Sequence, residues 1–149
     1  MPKSTTFSND LVALIFNATA ISKIADNTLT TPLTVLYLSL HTGTPGIGGS
    51  QTTNEVTIGA YPNYARISIN RASGASGWDV SSGAATNHTL AAFAQSGAGT
   101  GAAITHVAIG TDSSGTGKVL YAGALGATLN VANLIQPQFQ AGQLTCTES

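Results

Sequence analysis

The sequence predicts a mainly β protein, an antiparallel β-sandwich or jelly roll with one N-terminal α-helix, on three observations. Short segments rich in Val, Ile, Leu and Tyr recur from residue 33 onward, Gly- and Ser-rich turns separate them, and one early stretch alone carries helical periodicity. At 149 residues the chain is expected to form a single domain, 1–149, with the helix at about 8–25 and the sandwich at about 33–147.

The helix is read from Phe7, Leu11, Leu14, Ile15, Ala18, Ile21 and Ala25, which recur at three- and four-residue steps and so share one apolar face. Ser8 is placed to cap its N-terminus, Asp10 lies in the first turn where a carboxylate is favoured, and Asp26, Asn27 and the Thr-rich run to Pro32 end it.

The first strand is expected over 33–42. Leu36, Leu38 and Leu40 fall on one face, Val35 and Tyr37 on the other, and both faces look apolar enough to be covered, one by a second sheet and one by the helix. Further strands are expected at 64–71, with Ala65, Ile67 and Ile69 inward, and at 87–94, 103–110, 118–125, 128–132 and 138–147, with a weaker one near 78–80. The segments 104–109 and 119–123, joined by the Gly- and Ser-rich 110–117, read as a β-hairpin.

Between the first two strands, 43–62 is loop chemistry, with Pro45, the Gly48-Gly49 pair and polar Gln51 to Glu55. Loops longer than about 12 to 15 residues are commonly functional. This one is therefore the candidate partner-contact loop, with Thr44, Pro45, Ile47, Gln51, Asn54 and Tyr61 as its contact residues.

Composition narrows the function. Only 7% of the residues are charged, against roughly 25% in an ordinary domain. A surface so poor in charge suits covering or stacking against other protein, because interface cores are depleted in charge. Net charge is −1 and the basic residues Lys3, Lys23, Arg66, Arg71 and Lys118 are scattered, so no nucleic-acid partner is expected. No apolar run approaches the ~18 residues that span a bilayer, so no membrane partner is expected either. A single cysteine, Cys146, forms no internal disulfide, and Met1 to Ser4 does not open a secretory signal, which fits folding in a reducing cytoplasm.

No motif supports an enzyme. Residues 43–50 have the glycine spacing of a phosphate-binding loop, but Gly49 stands where its Lys is needed. Residues 97–102 fit a dinucleotide fingerprint by letters but precede a strand and not a helix. His41, His88 and His106 have no second ligand at metal-site spacing and are expected to be hydrogen-bonded structural residues. Neither His106 with Asp112 or Asp79 and a serine, nor the dispersed carboxylates Asp10, Asp26, Glu55, Asp79, Asp112 and Glu148, forms a recognisable catalytic set. Trp78, Tyr61 and Tyr64 keep a carbohydrate-binding alternative open. Catalytic, cofactor-binding and metal residues are all expected to be none.

The runs Leu36 to Gly43, Pro45-Gly46 and Gly48 to Glu55, followed by Tyr64-Ala65-Arg66, resemble a family of small tailed-bacteriophage virion proteins. Gly77-Trp78, Ile104 to Gly110, Gly117 to Gly123 and Phe139 to Leu144 continue the resemblance in order. Members are often labelled tail-fibre-like, and the pattern is also similar to capsid cement, or decoration, proteins of jelly-roll type. The resemblance implies a virion structural protein with no catalytic motif. One compact domain without repeats or a coiled-coil shaft favours cement over fibre. The expected partners are then the major capsid protein and a second or third copy of the chain, on the capsid exterior. A copy that binds only the mature shell would stabilise it by RT ln(1 + [L]/Kd). The alternative is a tail-fibre or tail-tip protein that binds a host receptor or carbohydrate.

Overall fold

A computed structural model describes residues 1, 3–7, 10, 11, 20–25, 33–81 and 84–147. The strands are β1 (Val35–His41), β2 (Ile67–Asn70), β3 (Trp78–Ser81), β4 (Ala84–Asn87), β5 (Ala91–Ala92), β6 (Ala102–Gly110), β7 (Val119–Val131), β8 (Gln138–Phe139) and β9 (Thr145–Thr147). They form three antiparallel sheets in the orders β2-β1-β6-β7, β3-β4-β9 and β5-β8. The sandwich expectation holds.

One face of the four-stranded sheet builds the core. Leu38 and Leu40 of β1, Ile104, Val107 and Ile109 of β6 and Val131 of β7 pack with Trp78, Ala91, Phe93, Leu144 and Cys146 from the two smaller sheets and their connections. Burying a large apolar side chain contributes about 1.5–3 kcal/mol, so this shared cluster is what joins the layers. In β2, Ile67 and Ile69 turn toward the core and Ser68 and Asn70 away, as the period of two requires. Ala65, expected inward, is exposed, because the chain has not yet entered the strand and Arg66 takes the buried position.

The hairpin is present. Its second strand is longer than expected, because 118–125 and 128–132 join into β7, with a register shift against β6 between Ile104 and His106. That shift places 125–128 opposite Thr105, a bulge that lets the strand continue past small residues which sequence alone reads as a break. The expected strand at 87–94 divides into the end of β4 and the short β5, and 138–147 into β8 and β9, each pairing with a different sheet.

The N-terminal helix starts earlier than expected. Backbone at 5–7 and 10–11 is helical, and the Ser4 hydroxyl accepts the Phe7 N–H at 3.1 Å, so Ser4 is the cap. Ser8 and 12–19 lie outside the described residues. The expected last turn is not helical: Ile21 and Ala25 form an antiparallel bridge around a turn in which Lys23 has φ +66°. Phe7 and Ile21 bury against Leu120, with Leu11, Leu36 and Tyr121 alongside. Phe7 meets Tyr121 edge-on at 5.7 Å.

Candidate functional site

The second face of β1 is polar where it is most buried. Ser39 and His41 are both 0% exposed. They are covered by the 43–62 loop, which folds back over the sheet with an antiparallel bridge between His41 and Glu55. Small residues make the space: an added Cβ on Gly110 or Gly117 would come within 2.2 or 2.1 Å of the Gln51 side chain.

Under the loop lies a connected set of hydrogen bonds. Arg66 grips Glu55 through both carboxylate oxygens at 2.7 Å, and its remaining donors reach the carbonyls of Asp112 at 2.8 Å and Gly115 at 2.7 Å. The Tyr64 hydroxyl donates to Glu55 at 2.8 Å and accepts the Leu40 N–H at 3.1 Å. Gln51 donates its N–H to Gly117 at 2.8 Å and accepts the Asp112 N–H at 3.0 Å. One guanidinium thus ties the 43–62 loop to the 110–118 hairpin loop, and the Tyr64 hydroxyl links the same carboxylate to β1. The bonds of Arg66 to Glu55 raise its pKa further, so it stays cationic at every working pH. Burial pushes the Tyr64 phenol up and keeps it neutral.

Lys23 and Lys118 fasten the N-terminal segment to the same hairpin loop through ion pairs with Asp112 and Asp10. The Lys23 ammonium, and then the Thr111 hydroxyl, hold the Asp112 carboxyl below the usual carboxylate range. Both pairs are partly open to water and contribute little individually.

All three histidines are hydrogen-bonded, as expected. His88 faces Asp79 at 2.9 Å, His106 meets the Thr105 hydroxyl at 2.8 Å, and His41 lies between the Thr53 carbonyl and the Ser39 hydroxyl, each at 2.9 Å. The Ser39–His41 pair has the partners of half a catalytic triad, but it is sealed from solvent and no substrate reaches it. Among the described residues no group of His, Cys, Asp or Glu is placed to hold a metal ion. The three aromatics considered for sugar stacking face inward: Trp78 and Tyr61 are buried, and half-buried Tyr64 stacks at 6.1 Å on Phe93.

Burial holds the His41 imidazole below the usual histidine range, with its bond to Thr53 opposing the shift in part. The unfolded chain therefore takes up a proton first as the pH falls below about 6.5, and the folded state loses stability in that window. Urea unfolding between about pH 7.5 and 5 is expected to show this loss, and His41→Gln to flatten the slope even if it lowers stability overall.

The six loop residues divide by burial. Thr44, Ile47 and Asn54 are exposed; Pro45, Gln51 and Tyr61 are buried and are corrected from contact residues to foundation. Gln51 is drawn inward by the backbone groups of the hairpin loop, and Tyr61 by the core and the Ala94 carbonyl that its hydroxyl bonds. Asn54 closes the neck of the loop by donating to the Thr44 carbonyl at 2.8 Å. Ile47 stands at the tip, 80% exposed, between Gly46 and Gly48 at φ +77° and +95°. The result is an apolar knob on a locked base.

The sequence pattern of the family described as Podophage GP4 fiber I protein gp80 matches residues 2–147. The chain belongs to that family. It is a phage virion structural protein. None of the curated proteins compared matches the chain. Within this family member, the stretches that carried the resemblance have a physical role. Leu36 to Gly43, Glu55 and Tyr64-Ala65-Arg66 are the strand, the carboxylate and the clamp of the buried network, and Gly110 and Gly117 are the spaces into which Gln51 fits. In the sequence Arg66 is one of five scattered basic residues and Glu55 one of six dispersed carboxylates, and nothing there joins them as a pair. Eleven positions separate them, and no local spacing rule pairs them.

Proposed function

We propose that the chain is a non-enzymatic building block of the virion exterior that docks on a neighbouring virion protein through the Ile47 knob. The observation that carries this reading is a large apolar side chain held in solvent on a loop whose base is fixed by hydrogen bonds from Asn54 and Arg66. A preorganised apolar anchor is what a protein partner's pocket accepts at low entropic cost.

The description of its family supports a place in the fibre apparatus. A second reading, capsid cement bound to the major capsid protein, is favoured by the sandwich, which among the described residues shows no repeat or shaft. Both need the same chemistry: many modest apolar contacts without catalysis.

Deleting the loop does not test the knob, because the deletion would also remove Gln51 and Glu55 and leave Arg66 buried without its partner. Ile47→Asp is the suitable change. It is expected to keep the fold and to lower occupancy on virions at least about tenfold, since burying an unpaired carboxylate in an apolar pocket opposes binding strongly. Unchanged occupancy would dismiss the knob. Antibody-labelled virions read the position: label on fibres supports the fibre place, and label across the head supports cement.

A further inference from the structure

The other end of the sandwich lies away from the ion-paired loops, and we infer that it pairs with the same end of a second copy of this chain. Three loops form it: 57–63, 95–101 and 132–136. They are bonded to one another, Thr100 to Gly59 at 3.2 Å, Gly101 to Ala60 at 3.0 Å, Gly97 to Pro62 at 3.3 Å, Leu134 to Ser96 and Ser96 to Ile135 at 2.9 Å. Asn63 and Gln95 donate side-chain amides to the carbonyls of Gln95 and Leu134, at 3.1 and 2.9 Å. Gly99 permits the close approach, because a Cβ there would lie 2.4 Å from Pro62.

Leu134 is the unusual residue. It sits third in a turn closed by the bond from Ile135 N–H to the Ala132 carbonyl at 3.0 Å, with φ +66°, a position that normally calls for Gly or Asn. Its own N–H and C=O are both bonded, so the left-handed conformation is imposed by its neighbours. The strained position presents a leucine side chain that is 66% exposed, beside Ile135 at 40% and with Ile58 at 72% on the adjoining loop. A fold that holds a disfavoured backbone to keep apolar side chains in water indicates a surface used for contact.

The partner follows from charge. No Asp, Glu, Lys or Arg occurs in 56–65, 80–111 or 119–147. Phosphate backbones find no cation here, and a sugar finds no exposed aromatic, since Tyr61 and Phe93 are buried. Two identical surfaces that meet about a symmetry axis set like charges against each other wherever a charge lies near the axis. This end escapes that penalty; the opposite end, with Asp10, Lys23, Asp112 and Lys118 in its loops, does not. The exposed Asn133 side-chain amide both donates and accepts, so it can also pair with its own copy.

Sedimentation of the purified chain over a concentration series tests this independently of where the protein sits in the virion. The wild type is expected to self-associate. Leu134→Asn, which tolerates the left-handed backbone, is expected to keep or raise the melting temperature while weakening association at least about tenfold. Ile58→Ser should weaken it as well, and Ile47→Ser at the far end should not. A wild type that stays monomeric to about 1 mM, or an association indifferent to both Leu134→Asn and Ile58→Ser, overturns the proposal. Binding of a monomeric chain to neutral phosphatidylcholine vesicles would also overturn it, in favour of a lipid surface.

Discussion

Arg66→Ala is expected to destabilise the protein by about 3–5 kcal/mol, the range for removing one partner of a buried ion pair. The Arg66 side chain is 3% exposed and that of Glu55 14%, so water cannot replace the lost guanidinium without opening the loop. The change also strips the Asp112 and Gly115 carbonyls of a donor. For a domain of this size the loss corresponds to a fall in melting temperature of about 10 °C, measurable by calorimetry or circular dichroism. Arg66→Lys should recover only part of it, because an ammonium cannot present the planar fork that grips both oxygens of Glu55. An Arg66→Ala protein as stable as the wild type would mean that the network does not hold the loops together.

Tyr61→Ala is expected to cost about 3–5 kcal/mol, the usual range for truncating a buried aromatic. Tyr61 is fully buried, lies 5.5 Å from the Tyr64 ring and bonds the Ala94 carbonyl, so truncation opens a cavity and orphans an acceptor together. Ile47→Ser, in the same loop, should change stability by no more than about 0.5 kcal/mol, as surface substitutions do. Denaturant unfolding of the two variants side by side separates foundation from knob. Equal effects would contradict the division of the loop into an inner and an outer set.

Much of this division escapes a sequence reading. The apolar alternation of 33–42 and 104–109 is visible because a strand's side chains alternate with period two and one face of each strand packs on the core. The 43–62 loop is visible as a loop from its glycines and prolines. Which of its residues face outward is not visible: Gln51 and Tyr61 have polar atoms that suit a surface, and only the carbonyls and amides brought to them by other segments make burial favourable. The helix is misjudged at its start for a related reason. Ser4 and Ser8 are both suitable caps by type, and the bond of Ser4 to the Val119 carbonyl, 115 positions away, fixes the N-terminal segment at β7.

Composition and periodicity by themselves determine that the chain is a charge-poor antiparallel β protein with a long glycine-rich loop, since these properties depend on residue type and near-neighbour spacing. Tertiary structure alone decides that Arg66 joins two loops, that Ile47 is presented and Gln51 is not, and that Leu134 stands strained at an uncharged end. Each of those outcomes rests on contacts between residues distant in the chain, whose strength comes from burial together, and burial is set only when the sheets close on one another.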